Sequence, residues 1–232
     1  QSSTGLSVKR RPGAVIVNPP SLVHEGDIVT LQSEATGDII SWEWWSDRAG
    51  LLGDEETIQI STLVNGTHNI TLRLQDSNSL WSGNNTISLY VNGRPRISDP
   101  SISSSLVVRG GSISLSASVM DDSDSGEALS FDATYRLSGD VVWETSYLSG
   151  AVWDSGQVSF SFDPDFNASL GQYEFRVEAE DSHSGRSDWI MFPVNVEIVN
   201  IPPEVSTTLV PDAVVSADDG MLEFGAFFDD TD

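Results

Sequence analysis

Carboxylates crowd into three short stretches of this sequence, and binding of a hard cation is the chemistry that such crowding favours. Asp121-Asp122-Ser123-Asp124-Ser125-Gly126-Glu127 is the densest stretch, Asp163-Pro164-Asp165-Phe166-Asn167 the second and Asp229-Asp230-Thr231-Asp232 the third. Like charges at this spacing repel, and a Ca²⁺ ion relieves the repulsion while collecting about six to eight oxygens from several loops. The metal candidates are therefore Asp121, Asp122, Asp124, Glu127, Asp163, Asp165, Asn167, Asp229, Asp230 and Asp232. Asp163, Asp165 and Asn167 share the opening spacing of a calcium loop, but the glycine and glutamate that would complete an EF-hand are absent. The competing reading is that Asp-Ser-Gly segments are solvated turns.

Tryptophan supplies the next candidate chemistry. Trp42 and Trp44 share one face of a strand, and at least one of them reads as core; Trp45 points to the other face, and Trp81 lies where a loop enters a strand. Exposed indoles stack on sugar rings or protein partners, so Trp45 and Trp81 are candidate ligand platforms, against the plainer reading of rim packing. Trp143, Trp153 and Trp189 invite that plainer reading too. Asn65, Asn69, Asn84 and Asn167 each head an N-x-S/T triplet and are candidate N-glycosylation sites. No catalytic residue is assigned. His24, His68 and His183 lie far apart, with His68 expected on an outward strand position. No nucleophile elbow, zinc-protease, P-loop or dinucleotide motif occurs.

The elements that must position these residues are strands. No long stretch carries apolar residues at helical spacing; short alternating runs separated by Gly, Asn, Asp and Ser clusters read as an all-β sandwich pattern. The expected strands of the first module are 14–18, 28–35, 39–45, 57–61, 68–75 and 86–91. Ile70, Leu72 and Leu74 share one face of the fifth run, opposite Asn69, Thr71 and Arg73. In the second module Ile113, Leu115, Ala117 and Val119 alternate with polar residues, as do Tyr173, Phe175, Val177 and Ala179. The segment Val91-Asn92-Gly93-Arg94-Pro95-Arg96-Ile97-Ser98 returns as Val199-Asn200-Ile201-Pro202-Pro203-Glu204-Val205-Ser206, and a repeat of about a hundred residues is domain-sized. Four segments are expected: a lead-in over 1–11, sandwiches over 12–92 and 93–201, and the first strands of a third module over 202–232. In that last segment Gly220, Leu222, Phe224, Ala226 and Phe228 repeat the spacing of the second module's early strand. The natural protein is expected to continue, because a lone strand pair is barely stable in water. With no Met at its start, the chain reads as a mature or excised piece whose targeting and anchoring segments lie elsewhere.

Composition narrows the partners. A net charge of −24, from 35 acidic against 11 basic residues, repels nucleic acid and anionic lipid. It suits either simple solubility or a salty, marine or halophilic setting, where screening shortens self-repulsion. The absence of cysteine removes disulfides and thiol chemistry and tilts the expectation toward a prokaryotic source. No apolar run is long enough to span a bilayer, so direct membrane insertion by this segment is not expected.

In the first module, Gly26-Asp27-Ile28-Val29-Thr30-Leu31, Ser41-Trp42-Glu43-Trp44 and Gly66-Thr67-His68-Asn69-Ile70-Thr71-Leu72-Arg73-Leu74-Gln75-Asp76 resemble the second, third and sixth strands of PKD domains. These belong with the immunoglobulin-like modules of archaeal and bacterial surface proteins. Asp181 closes Tyr173-Glu174-Phe175-Arg176-Val177-Glu178-Ala179-Glu180 in the matching place of the second module. The turn that usually follows the PKD tryptophan is replaced by Trp45-Ser46-Asp47-Arg48-Ala49-Gly50, and the second module's acidic loop looks more cadherin-like. The resemblance implies tandem Ig-like β-sandwiches. Their second-to-third and sixth-to-seventh strand loops share one end, which would bring Asp181 toward Asp121, Asp122, Asp124 and Glu127, with Asn92 or Asp99 nearby. It further implies a non-enzymatic extracellular or cell-surface segment for structure or adhesion, with Ca²⁺-stiffened joints. Its partners would be neighbouring modules or other surface proteins. Two alternatives stay open: an accessory, polysaccharide-binding region of a secreted enzyme, and a filament subunit that self-assembles by strand addition.

Overall fold

The computed structural model describes residues 9–122 and 128–200, together with the backbone of 204–206 and 227–229. The named elements among the described residues are all strands, and no helix among those residues is long and apolar enough to cross a membrane. Packing divides the chain into two units. The first is built on the chain up to Arg96 and includes the later segments Met120–Ser130 and Glu180–Ser187; the second takes the remainder.

The first unit contains β1 (Gly13–Val17), β2 (Leu22–His24), β3 (Val29–Thr36), β4 (Ile39–Ser46), β5 (Gly50–Gly53), β6 (Thr57–Ile60), β7 (Gly66–Asp76) and β8 (Asn85–Asn92). One sheet has the order β1-β3-β6, the other β2-β8-β7-β4-β5. Between β1 and β2 stand Asn18, held at a positive φ of 44°, and Pro19-Pro20. Neither proline can donate to a ladder, so pairing stops there and the chain crosses to the opposite sheet. It resumes as β2, parallel to β8, with Leu22 opposite Tyr90 and His24 opposite Asn92.

Alternation along β7 sets the core. His68, Ile70, Leu72, Leu74 and Asp76 point inward and are buried, and they meet Val29, Leu31, Ile58, Ile60 and Trp44. Trp44 is 0% exposed and its indole N–H donates to Glu55 O at 2.9 Å, while Trp42 donates to Ser33 Oγ at 3.1 Å. His68 does not face outward as its sequence context suggested. It lies two residues before Ile70, shares that residue's parity, and is 0% exposed. Val64 O can only accept, so Nε2 donates to it at 2.8 Å. Ser46 Oγ accepts the N–H groups of Arg48 and Ala49, so its own proton goes to His68 Nδ1 at 2.8 Å.

The second unit repeats the plan with β9 (Arg96–Ile102), β10 (Leu106–Val108), β11 (Ile113–Met120), β12 (Ser130–Leu137), β13 (Val152–Asp154), β14 (Gln157–Phe162), β15 (Gly171–Glu180), β16 (Ile190–Met191) and β17 (Val196–Val199). Its sheets are β13-β14-β11-β9 and β10-β17-β15-β12, with β16 on β15. The leading strand again divides: β9 pairs in one sheet, and β10 lies parallel to the last strand, β17, in the other. Aromatic rings replace tryptophan in this core. Phe162 meets Phe175 edge-on at 4.9 Å and Tyr135 at 5.2 Å. Burial pushes the Tyr135 phenol up to about 12, and its hydroxyl is satisfied by Ser146 Oγ at 2.7 Å.

The tryptophans of this unit pack on the rim. Arg176 lies 4.1 Å from the ring centroids of both Trp143 and Trp189, and Arg136 lies 4.5 Å from that of Trp143. Trp153 stacks on Phe131 at 6.0 Å. Beyond β17, β18 (Glu204–Ser206) pairs with β19 (Phe227–Asp229). The expected strand positions Gly220, Leu222, Phe224 and Ala226 lie outside the described residues.

Trp44 and Trp45 are adjacent yet face opposite ways, so their truncations separate. Trp44→Ala should cost about 3–5 kcal/mol through the cavity it leaves, and Trp45→Ala about 0.5 kcal/mol or less, both read by denaturant titration.

Candidate functional site

Two places in the first unit gather polar side chains in a defined geometry. One is a buried polar knot at the end of β8. The other is an open cleft on the outer face of the five-stranded sheet.

The knot is centred on Asn92, the asparagine of the repeated V-N-x-x-P motif, which is 0% exposed. Its Nδ2 donates to Asp181 Oδ2 at 2.7 Å and lies 3.2 Å from His24 Nδ1. Asp181 Oδ1 accepts the backbone N–H groups of His183 and Gly185, each at 2.8 Å. A Cβ on Gly185 would stand 2.4 Å from Asp181 Oδ2 and 2.7 Å from Asn92 Nδ2, so only glycine fits. His183 packs on Tyr90 with ring centroids 5.5 Å apart.

The same turn occurs after β7. Asp76 Oδ1 accepts the N–H groups of Asn78 and Leu80, each at 2.9 Å. The residue before each closing N–H, Ser79 in one turn and Ser184 in the other, has a positive φ. The Leu80 N–H, with further help from Asn78, holds the Asp76 carboxyl below the usual aspartate range, against the opposing effect of burial. The aspartate that closes each of these long strands is therefore a turn-forming acceptor, and Asp181 extends the role by receiving Asn92.

The remaining acidic candidates are distributed as follows. Asp122 accepts the side-chain amide of Asn65 and stands over Gly93, where a Cβ would meet its carboxylate at 2.2 Å. Asp121 and Asp122 line a cleft of about 430 Å³ with Glu25, Asn65, Arg94 and Arg96. In the second unit Asp163 accepts the Ser161 hydroxyl, and Asp165 Oδ1 accepts the Asn167 N–H at 2.9 Å and the Tyr147 hydroxyl at 3.2 Å. Among the described residues no three acidic or histidine side chains converge as a metal cluster. Asp124, Glu127, Asp230 and Asp232, and the side chain of Asp229, lie outside the described residues.

The outer cleft, about 440 Å³, has Trp45 as its one aromatic wall. Trp45 is 46% exposed and sits opposite Thr71 of β7 and Leu51 of β5, where the β4–β5 register shifts between Trp44 and Trp45. Around it stand Asp47, Asn69, Thr71, Arg73 and Asn84. Asn69 clamps Asp47 through its backbone N–H at 2.9 Å and its Nδ2 at 2.7 Å. The backbone bond first, and the side-chain bond after it, hold the Asp47 carboxyl below the usual range. Arg73 pairs with Glu43 and lies 4.5 Å over the Trp81 ring, so one face of Trp81 is already covered. Sequence parity identified Trp45 as outward. It missed Asp47 and Arg73, because their approach to Trp45 depends on cross-strand register.

The asparagine side chains of the glycosylation triplets also differ. Asn65 and Asn69 donate their amides to Asp122 and Asp47; Asn69, Asn84 and Asn167 are exposed and Asn65 is half-buried.

Asp181→Ala should strip acceptors from two backbone N–H groups and a buried amide, a loss of roughly 2–4 kcal/mol. Chemical denaturation should show it as a lowered midpoint for the first unit, and an unchanged midpoint would remove the knot from the account of stability.

Comparison of the sequence with family models and with curated proteins returns no match. Solved structures do match. One is an N-terminal fragment of the Down Syndrome Cell Adhesion Molecule with eight Ig domains, at 15% identity and a TM-score of 0.52, over 84% of this chain and 25% of that one. Another is a marsupial T cell receptor, at 12% identity and a TM-score of 0.51, over 84% of this chain and 76% of that one. A structure of fibronectin(III)-like modules from Clostridium thermocellum CbhA aligns over 80% of this chain and 92% of its own, at 13% identity and a TM-score of 0.34. The first two likenesses establish the fold alone: this chain is built of tandem immunoglobulin-like β-sandwiches.

Proposed function

We propose that this chain is a non-enzymatic segment of an extracellular or cell-surface protein, in which Ig-like units in tandem serve structure and adhesion. The observation that carries the reading is the repeated sandwich itself. Two units share one strand plan and the same divided leading strand, and the aspartate-closed turn after β7 recurs after β15. A fold built twice in this way suits a chain that spans distance and presents sheet faces. The fragment it resembles is named as part of a cell adhesion molecule. A surface charge of −24 fits a salty exterior, where screening limits repulsion. The PKD-like strand motifs point to the same setting on a prokaryotic surface. Protease shaving of intact source cells should release peptides from residues 9–200 before lysis. Release only after lysis would overturn the proposal.

Calcium belongs to this reading as its cofactor. Asp121 and Asp122 share one cleft with Glu25, and the sequence continues directly into Asp124 and Glu127. An ion taken by the folded state stabilises by mass action. Millimolar Ca²⁺ should raise the melting temperature by a few degrees over chelator, and Asp121→Asn/Asp122→Asn should abolish the rise. Identical melts with and without Ca²⁺ would remove calcium and leave the structural role standing.

A further inference from the structure

We propose that the cleft beside Trp45 is a binding subsite for a neutral sugar ring of a polysaccharide chain. The inference rests on the adhesive part of the reading above and assigns that adhesion a site and a ligand class.

A pyranose ring presents an apolar C–H face and a rim of hydroxyls that both donate and accept. The cleft matches both features. Its aromatic wall is a half-exposed indole, and the lining around it carries hydrogen-bonding side chains. Its volume of about 440 Å³ lies within the roughly 300–1,000 Å³ range of small-molecule sites. The register shift at Trp44/Trp45 marks a local break in the ladder, the device by which sheets re-aim a side chain.

The polar groups are held before any ligand arrives. Asn69 fixes Asp47 with two bonds, which leaves carboxylate lone pairs available to hydroxyl donors. Arg73 commits Nε to Glu43 and is stacked on Trp81, and its guanidinium has further donors for hydroxyl acceptors. Groups ordered in advance lose less freedom on binding. Charge selects among sugars. Arg73 is already paired with Glu43, which leaves Asp47 as uncompensated negative charge in the cleft, and with the net charge of −24 this disfavours polyanionic chains. A protein partner fits less well, because a stable interface needs about 800 Å² per side around a desolvated core. Here hydrogen-bonding groups surround one aromatic ring.

The test uses the full chain produced in a host without N-glycosylation, so that no glycan on Asn69 or Asn84 occupies the cleft. Calorimetric titration with hexasaccharides of β-1,4-linked glucose, mannose, xylose and N-acetylglucosamine is expected to give saturable binding to at least one. Trp45→Ala should then weaken binding by about tenfold or more, and Asp47→Ala should weaken it too. Trp153→Ala, whose ring stacks on Phe131 in the other unit, should bind as the parent does. Melting curves of each variant separate loss of binding from loss of fold. Absence of binding to all four sugars, or binding indifferent to Trp45→Ala, overturns the assignment. So does Trp45-dependent self-association by sedimentation without sugar binding, which would place a protein surface there. Surface exposure by protease shaving is read separately, so failure of the sugar site leaves the proposed setting intact.

Discussion

The first unit depends on satisfying one buried amide. Asn92 ends β8 fully buried, and burying such a group without a partner costs about 1–3 kcal/mol. Its solution lies far along the chain, in the carboxylate of Asp181. That bond requires Asp181 to be aimed, and two backbone N–H groups aim it. It also requires room above the carboxylate, which Gly185 leaves by having no side chain. The contact therefore selects residue types at three separated positions. The repeat of the V-N-x-x-P motif does not repeat this role, because the matching Asn200 follows β17, is exposed, and has its Oδ1 3.4 Å from Arg109 Nη1.

A second constraint is the division of the leading strand. A single long strand would sit in one sheet and leave the far edge of the other open. Breaking it lets β1 cover β3 while β2 closes the exposed side of β8. In the first unit the break is chemical, through Pro19-Pro20. In the second it is polar: Ser104 Oγ accepts the Leu106 N–H at 3.1 Å and donates to Leu106 O at 2.7 Å, turning the chain between β9 and β10.

The long strands were legible in the sequence because their alternation is carried by many residues, as along β7 and β15. β2, β5, β10, β13 and β16 were not. Each is two to four residues long, and β2 and β10 exist only through parallel pairing with a strand far along the chain. His68 is polar, which favours the outer face, but it shares the parity of Ile70, and period decides its inward position. Trp45 was read correctly as outward, since parity alone decides it. The covering of Trp81 by Arg73 had no sequence signal, because the two meet across a turn and not along a strand. Asp76 and Asp181 were recognisable as strand-closing aspartates from the motif, but their hydrogen-bonding task appears only once the turn is folded.

The adjacency of Trp44 and Trp45 shows how one strand serves two needs. The pleat sends Trp44 into the core, where Glu55 O takes its N–H, and sends Trp45 out among polar side chains. Large apolar area on an outer face would ordinarily invite nonspecific association. Here that area is confined to a cleft whose polar lining is already hydrogen-bonded, so the proposed ligand would have to match the polar pattern as well as the ring. The same arrangement that limits indiscriminate contact with the exposed indole would make the proposed subsite selective. Stability and the proposed recognition are thus divided between the two faces of a single sheet.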